Sequence, residues 1–277
     1  MTRDEKVARF RALHQGPGAF LIPNAWDAGT SRIITALGFD AVATTSGGWA
    51  LCNARRDLVA ETGRDDLLEN ARQIAAATDL PVSADLQNGF GATPEDCAET
   101  MRMAAAAGLA GASIEDAVDD RNNPIMDIVE ATERVAAAAE AAKAANLVLT
   151  ARAENFLHGR KDLDDTIRRL QAFAAAGAEV LYAPALPDLE TVRIICAAVD
   201  RPVNVLAGLG NLKCSADELA AAGARRISVG AALTRAALGG FMAAVRELKA
   251  TGTFGFTATA APGGELARLI AEGAPKV

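Results

Sequence analysis

Short apolar runs of four to six residues alternate along this chain with longer segments whose apolar positions recur every three or four residues. The first pattern reads as buried β-strand, the second as amphipathic helix. Strands are predicted at Ala19–Pro23, Ala41–Thr45, Val82–Leu86, Ala112–Glu115, Leu147–Arg152, Val180–Ala183, Val203–Leu206 and Arg226–Val229. A helix is predicted over the charged N-terminal segment, and others fill the intervals between strands. Asp27 fits a helix cap, and Thr93-Pro94-Glu95 fits a helix start, with Thr as cap and Pro in the first turn. Further helices are expected over Arg64–Thr78, Asp164–Ala176, Asp188–Val199, Ser215–Ala222 and Ala231–Ala250, then a short amphipathic piece at Gly264–Ala271. Two stretches read as loops: Trp49–Gly63, with Ser46-Gly47-Gly48 as the turn before it, and the polar run Asp116–Asp127.

Eight strand–helix alternations imply parallel βαβ units. The expected fold is an α/β protein of the (β/α)8 TIM-barrel type. Residues 1–250 form one barrel domain and 251–277 a tail that makes an oligomer contact. The 277-residue length agrees, since such barrels run to about 250 residues. An open doubly wound sheet is the competing architecture, but no GxGxxG turn follows the first strand.

Composition narrows the function classes. The net charge is -7 and no basic stripe is present, which argues against nucleic acid. No apolar run reaches the roughly 18 residues of a membrane span, and the charged N-terminus has no signal-like core. Cys52, Cys97, Cys196 and Cys214 are scattered without CxxC spacing, as expected of reduced thiols in a cytoplasmic protein.

In a barrel, chemistry sits where strands end in loops. Strand two ends in Ser46-Gly47-Gly48, whose amides can form an anion-binding concavity. Strand three ends in Asp85 and Gln87, strand four in Glu115 and Asp116, strand five in Arg152 and Glu154. Each has a plain alternative: Asp85 as a loop cap, Glu115 as a salt-bridge partner, Gly47 and Gly48 as an ordinary turn. Arg152 is harder to dismiss, because a buried guanidinium needs a carboxylate such as Glu154 or an anionic ligand. Together these groups compose a divalent-cation site beside a carboxylate site, and oxygen ligands suit Mg²⁺. His14 and His158 are not placed as ligands. A rival site, a phosphate corner at Ala207-Gly208-Leu209-Gly210 and Gly230, rests on glycines alone.

The motifs Thr45-Ser46-Gly47-Gly48, Ser83 to Gly91, Ser113-Ile114-Glu115-Asp116 and Thr150 to Glu154 resemble the isocitrate lyase / phosphoenolpyruvate mutase superfamily. The likeness runs from Pro23-Asn24-Ala25-Trp26-Asp27 to Ser228-Val229-Gly230. It implies a homodimer or homotetramer with an exchanged C-terminal helix, and Mg²⁺ (Mn²⁺ as the alternative) held by Asp85, Glu115 and Asp57, with Gln87 at the fourth metal position. It implies that the amides of Ser46, Gly47 and Gly48, with Arg152, grip a 2-oxo acid, and that Asn122 contacts substrate from a gating loop. Asp57, Arg152 and Glu115 take the catalytic roles. The expected activity is C–C cleavage in a small 2-oxo or 2-hydroxy carboxylate, oxaloacetate-like, through an enolate. Alternatives are P–C chemistry on phosphonopyruvate and a degenerate ligand-binding barrel. Three departures stand out: Gln87 replaces an acid, the lyases' Lys-Lys-Cys-Gly-His segment is missing, and Arg121-Asn122-Asn123 carries no lysine.

Overall fold

A computed structural model describes residues 1–210 and 212–276. Its strands are β1 (Phe20–Ile22), β2 (Asn24–Ala25), β3 (Val42–Thr44), β4 (Val82–Asp85), β5 (Gly111–Glu115), β6 (Val148–Arg152), β7 (Val180–Tyr182), β8 (Val203–Leu206) and β9 (Arg226–Ser228). All pair in parallel in the order β1-β9-β8-β7-β6-β5-β4-β3-β2. β1 and β2 are two halves of one strand. Pro23 divides them because it has no N–H to give, yet its carbonyl still accepts from Ala43 N at 2.9 Å. The first half pairs with β9 and the second with β3, so eight strands close into a barrel, as the alternation predicts.

Helix α1 (Arg3–Gln15) opens with a Thr2–Glu5 capping box and closes the N-terminal end of the barrel. Its Val7 and Phe10 are buried with Ile22, Ala41, Ala110, Val148 and Val180. A Cβ at Gly111 would meet the Phe10 ring at 2.7 Å, so that plug requires glycine on β5. The outer helices are α2 (Ala28–Ala36), α3 (Ser46–Cys52), α4 (Val59–Thr62), α5 (Arg64–Ala76), α6 (Pro94–Ala106), α7 (Ile128–Ala144), α8 (Leu163–Ala175), α9 (Leu189–Ala198), α10 (Ala216–Ala221), α11 (Ala232–Thr251) and α12 (Gly263–Glu272). Asp27 and Thr93 cap α2 and α6 as the sequence predicts.

One expectation is corrected here. Ser46-Gly47-Gly48 is not an open turn but the first turn of α3, because the Thr45 hydroxyl accepts the Gly48 N–H at 3.1 Å. The following stretch also contains α4, so the predicted long loop is an irregular segment of two short helices.

The C-terminal region leaves the barrel. α11 runs 20 residues, and Thr234 is its one buried residue. Residues 251–276 turn back, and α12 packs on α2 of the same chain, while Lys276 N donates to Asp79 at 2.8 Å. Val277, the last residue of the predicted tail, lies outside the described residues. No helix among the described residues is long and apolar enough to cross a membrane.

Candidate active site

The C-terminal strand ends open into a cavity of about 350 Å³. Inward positions alternate with outward ones along each strand, so Ser83 and Asp85, Ser113 and Glu115, and Thr150 and Arg152 line the barrel interior. The register sets Glu115 level with Arg152, and Arg152 level with Tyr182. Three neighbouring strands thereby put an acid, a guanidinium and a phenol at one height.

Arg152 is the hub. Its Nη1 donates to Asp85 Oδ1 at 2.8 Å, its Nε donates to Glu154 Oε1 at 2.8 Å, and its Nη2 pairs with Glu115 Oε2 at 2.9 Å. The guanidinium carbon lies 5.0 Å from the Tyr182 ring centroid, a cation–π distance. The second oxygen of Asp85 accepts from both Ser46 N at 3.1 Å and Ser46 Oγ at 2.9 Å. The Gly47 N–H, in the same first turn of α3, has no partner among the described residues and lines the cavity. Gly48 plays another part: a Cβ there would meet Thr234 Oγ1 and Thr45 Cγ2 at 2.5 Å, so this glycine lets α11 approach α3.

Asp57 arrives from the segment between α3 and α4. A Cβ on Gly47 would stand 2.9 Å from Asp57 Oδ2. Its Oδ1 accepts from Gln87 Nε2 at 3.0 Å, and Gln87 Oε1 accepts from the buried Thr62 hydroxyl at 2.8 Å. Gln87 therefore turns its amide nitrogen, not its carbonyl, toward the acidic cluster. As placed it orients Asp57, at a position where the family resemblance leads one to expect a metal ligand. Asn122 also departs from expectation. It lies on the exposed loop 118–124, its N–H bonded to Asp120 at 2.9 Å, and it does not line the cavity. The loop is held in that position by Asp119, whose carboxylate accepts from Val59 N at 3.2 Å and Ala60 N at 2.9 Å.

Charge is concentrated here. Burial pushes the Glu115 carboxyl well above its ordinary range, against the pull of Arg152, and the charges of Glu154, Asp85 and Asp57 add to the push. Burial and the charge of Asp85 raise Asp57. Burial pushes Tyr182 up to about 12, so its phenol stays protonated. Below the cluster, Asp116 accepts from Glu154 N at 2.8 Å and from Arg169 Nη1 at 3.0 Å. Burial raises it to about 6, against these contacts.

Several lining groups carry no local motif. Arg226 projects into the barrel, donating to Asn204 at 2.9 Å and Thr150 at 3.1 Å, and Asn204 donates to Ser228 at 2.9 Å. Burial lowers the Arg226 guanidinium to about 10. Asn24 bonds the Thr44 carbonyl at 2.7 Å and accepts from Val229 N at 3.0 Å and Gly230 N at 2.9 Å. Those two amides are therefore occupied, which argues against the phosphate corner suggested by Gly230. Asn24 was visible only as part of Pro23-Asn24-Ala25-Trp26-Asp27, and period-two counting back from Ser228 would have found Arg226.

The family model for phosphoenolpyruvate phosphomutase matches residues 10–249. The chain belongs to the phosphoenolpyruvate phosphomutase family. A solved structure from Burkholderia cenocepacia J2315, named as a candidate lyase/mutase, is 50% identical with a TM-score of 0.93, covering 97% of this chain and 96% of that one. The chain is 31% identical to probable 2-methylisocitrate lyase 2 of Corynebacterium glutamicum over 208 residues, 72% of this chain and 66% of that relative, or about two thirds of its length. A solved 2,3-dimethylmalate lyase is 25% identical with a TM-score of 0.83, covering 98% and 95% of the two chains. Two of these relatives are thus named lyases.

Proposed function

We propose that this phosphoenolpyruvate phosphomutase family member is a Mg²⁺-dependent lyase or hydrolase that breaks a C–C bond in a small 2-oxo or 2-hydroxy carboxylate through an enolate. The observation that carries the reading is Arg152 at the cavity floor, ringed by Asp85, Glu115 and Glu154 within 2.9 Å and adjoined by the open Gly47 amide.

The donor set fits the metal. It is made of hard oxygens, and histidine and cysteine take no part in the acidic cluster. Burial and mutual repulsion raise Glu115 and Asp57, which marks an excess of negative charge that a cation relieves. Among the described residues no three His, Cys, Asp or Glu side chains enclose an ion. Mg²⁺ needs no such ready-made cage, since it keeps several waters and takes one or two carboxylates. Asp85 and Glu115 would hold it, with Asp57 reaching it through water; Mn²⁺ has the same oxygen preference. Bound there, the ion would polarise the 2-oxo oxygen and stabilise negative charge on it.

The chain's own groups do the rest. Arg152 fixes the substrate carboxylate, exchanging one of its internal carboxylate contacts for it, and the cation–π contact with Tyr182 keeps the fork in place. Gly47 N–H adds a neutral donor on the other side. Fixing the carboxylate at two points orients the scissile bond. Asp57 has one oxygen tied by Gln87 and the other facing Gly47 and the cavity. Its raised affinity for a proton suits it to return that proton to the carbon left electron-rich by cleavage. The unit these groups recognise is C1 to C3 of an oxaloacetate-like skeleton.

P–C chemistry is less well supported: no lysine lines the cavity among the described residues, and phosphonate carries more negative charge than this site balances. A degenerate binding barrel would bind ligand without turnover.

The reading also includes a homodimer or homotetramer. Phe241, Met242, Val245 and Leu248 of α11 are exposed. An apolar slot between α2 and β9, lined by Leu21, Ile33, Ile34, Leu37, Ile227 and Val229, lies where a last barrel helix would cover the sheet. A partner's α11 would satisfy both.

The decisive experiment is calorimetric titration of metal-free protein with oxalate, a planar enolate mimic, with and without Mg²⁺. Binding only with Mg²⁺, lost in Asp85→Ala, is expected. Oxalate binding that ignores both Mg²⁺ and Asp85 would sink the proposal.

A further inference from the structure

Two arginines line the cavity, and their surroundings differ. Arg152 is paired with three carboxylates. Arg226, on β9, is 5% exposed and has no carboxylate partner among the described residues. Its Nε donates to Asn204 Oδ1 at 2.9 Å and its Nη1 to Thr150 Oγ1 at 3.1 Å, both neutral acceptors. Its Nη2 has no partner among the described residues. A guanidinium keeps its charge when buried, so an unpaired one is costly to the fold.

Nothing nearby offsets that charge. Burial lowers Arg226 to about 10; the Tyr182 phenol opposes this, and the charge of Arg152 adds to it. His14, in the α1 plug, is pushed down to about 3, first by burial and then by the charge of Arg226, so it is neutral and supplies no anion. The guanidinium is nonetheless held in place. Asn204 donates to Ser228 Oγ at 2.9 Å, which turns its carbonyl toward Arg226. Register sets Arg152, Tyr182, Asn204 and Arg226 at one level on four neighbouring strands. From there Arg226 reaches back to Thr150, two residues before Arg152 on the same inward face of β6, about 6.6 Å along the strand. The two guanidiniums therefore lie about one layer of side chains apart.

We infer that Arg226 receives a second carboxylate of the substrate, one attached to C3, through its open Nη2. This rests on the reading of Arg152, Gly47 and the metal as the site of C1 and C2, and it narrows the substrate to a dicarboxylate. The placement also supplies what the proposed cleavage needs. When C2–C3 breaks, its electron pair goes to C3, and a carboxylate attached there spreads it as an ene-diolate. The step balances within the substrate and Asp57. The C2 hydroxyl belongs to a 2-hydroxy acid, or to the hydrate that water forms from a 2-oxo acid. It gives its proton to Asp57, and its O–H electron pair becomes the second bond of C2=O. The proton then returns from Asp57 to C3. A fixed guanidinium beside the C3 carboxylate stabilises the charge as it grows there.

The test is calorimetric, with Mg²⁺ present. Oxalate, which is too short to reach Arg226, reports on the first site. Malate and 2-hydroxybutyrate form the decisive pair, since a methyl group in one replaces the second carboxylate of the other. Malate should bind at least about tenfold more tightly, the worth of a charge-assisted contact. Arg226→Met should bring the two ligands within about twofold of each other while oxalate still binds. Arg226→Lys, which keeps the charge without the fork, should retain part of malate's advantage and decides the matter if the methionine variant does not fold. If oxalate binds but wild-type protein takes malate and 2-hydroxybutyrate equally, the inference is wrong and the first site stands. Malate's full advantage surviving in Arg226→Met, or in Arg226→Lys where the methionine variant does not fold, would also overturn it. If oxalate fails to bind the wild type, both readings fall.

Discussion

At Gln87 a neutral amide stands where the family resemblance leads one to expect an acid. The amide is built into the site: it is 4% exposed, donates to Asp57, accepts from Thr62, and sits on backbone with φ of 46°. Its neutrality should be measurable in the affinity for the proposed metal. A unit charge about 5 Å from a divalent ion is worth about 1.7 kcal/mol even at the dielectric of water. Gln87→Asp should therefore tighten Mg²⁺ binding roughly tenfold or more, read by titration of metal-free protein. Equal affinities would mean that position 87 is remote from the ion. Asp116 gives a second test at this scale. Its carboxyl titrates near 6 in the folded chain, against an ordinary value of 3.8. The native state thus holds a proton that the unfolded chain has released, so stability falls as pH rises from about 4 to about 6. The loss from this group is about 2–3 kcal/mol. Urea denaturation at pH 4.5 and 7 should show Asp116→Asn with a flatter profile than the wild type; parallel profiles would remove Asp116 as the cause.

The elements were legible to different degrees, for physical reasons. Strands such as Val148–Arg152 carry both a mostly apolar run and a polar terminus, so their position and their chemistry appear together in the sequence. Asp85, Glu115 and Arg152 were accordingly found from strand ends alone. α3 was missed because glycines at its first turn look like a loop, and only the Thr45 cap shows otherwise. The bond between Gln87 and Asp57 joins positions 30 residues apart, which no local pattern reports. α11 was found, but its helical pattern does not say whether the apolar stripe faces its own barrel. In the structure it does not: Phe241 is 64% and Val245 45% exposed. An uncovered stripe of this kind marks an association surface. If the proposed oligomer forms through this stripe, Phe241→Glu combined with Val245→Glu should shift it to monomer by light scattering, with helix content retained. An unchanged mass would place the interface elsewhere.

For the whole molecule, the barrel's stability and its chemistry draw on the same charges. Three carboxylates, Asp85, Glu115 and Glu154, pair with one arginine at the cavity floor, and Asp57 adds its charge nearby. Such a cluster is poorly balanced without a cation, because each further charge raises the cost of ionising its buried neighbour. Filling the site should therefore stabilise the fold as a unit. At a Mg²⁺ concentration about 100 times Kd the gain is about 2.7 kcal/mol, which raises Tm by roughly 5–10 °C in a domain of this size. Burial and neighbouring charge favour the protonated forms of Glu115 and Asp57, against which the ion competes, so the rise in Tm should be larger at pH 8 than at pH 5.5. Asp85→Asn should remove most of the rise at either pH. Differential scanning calorimetry of both proteins, with and without Mg²⁺, reads all of this at once. A rise that is independent of pH and survives Asp85→Asn would show that the cation binds outside the cluster, and the enolate-stabilising site would have to be sought elsewhere on the barrel.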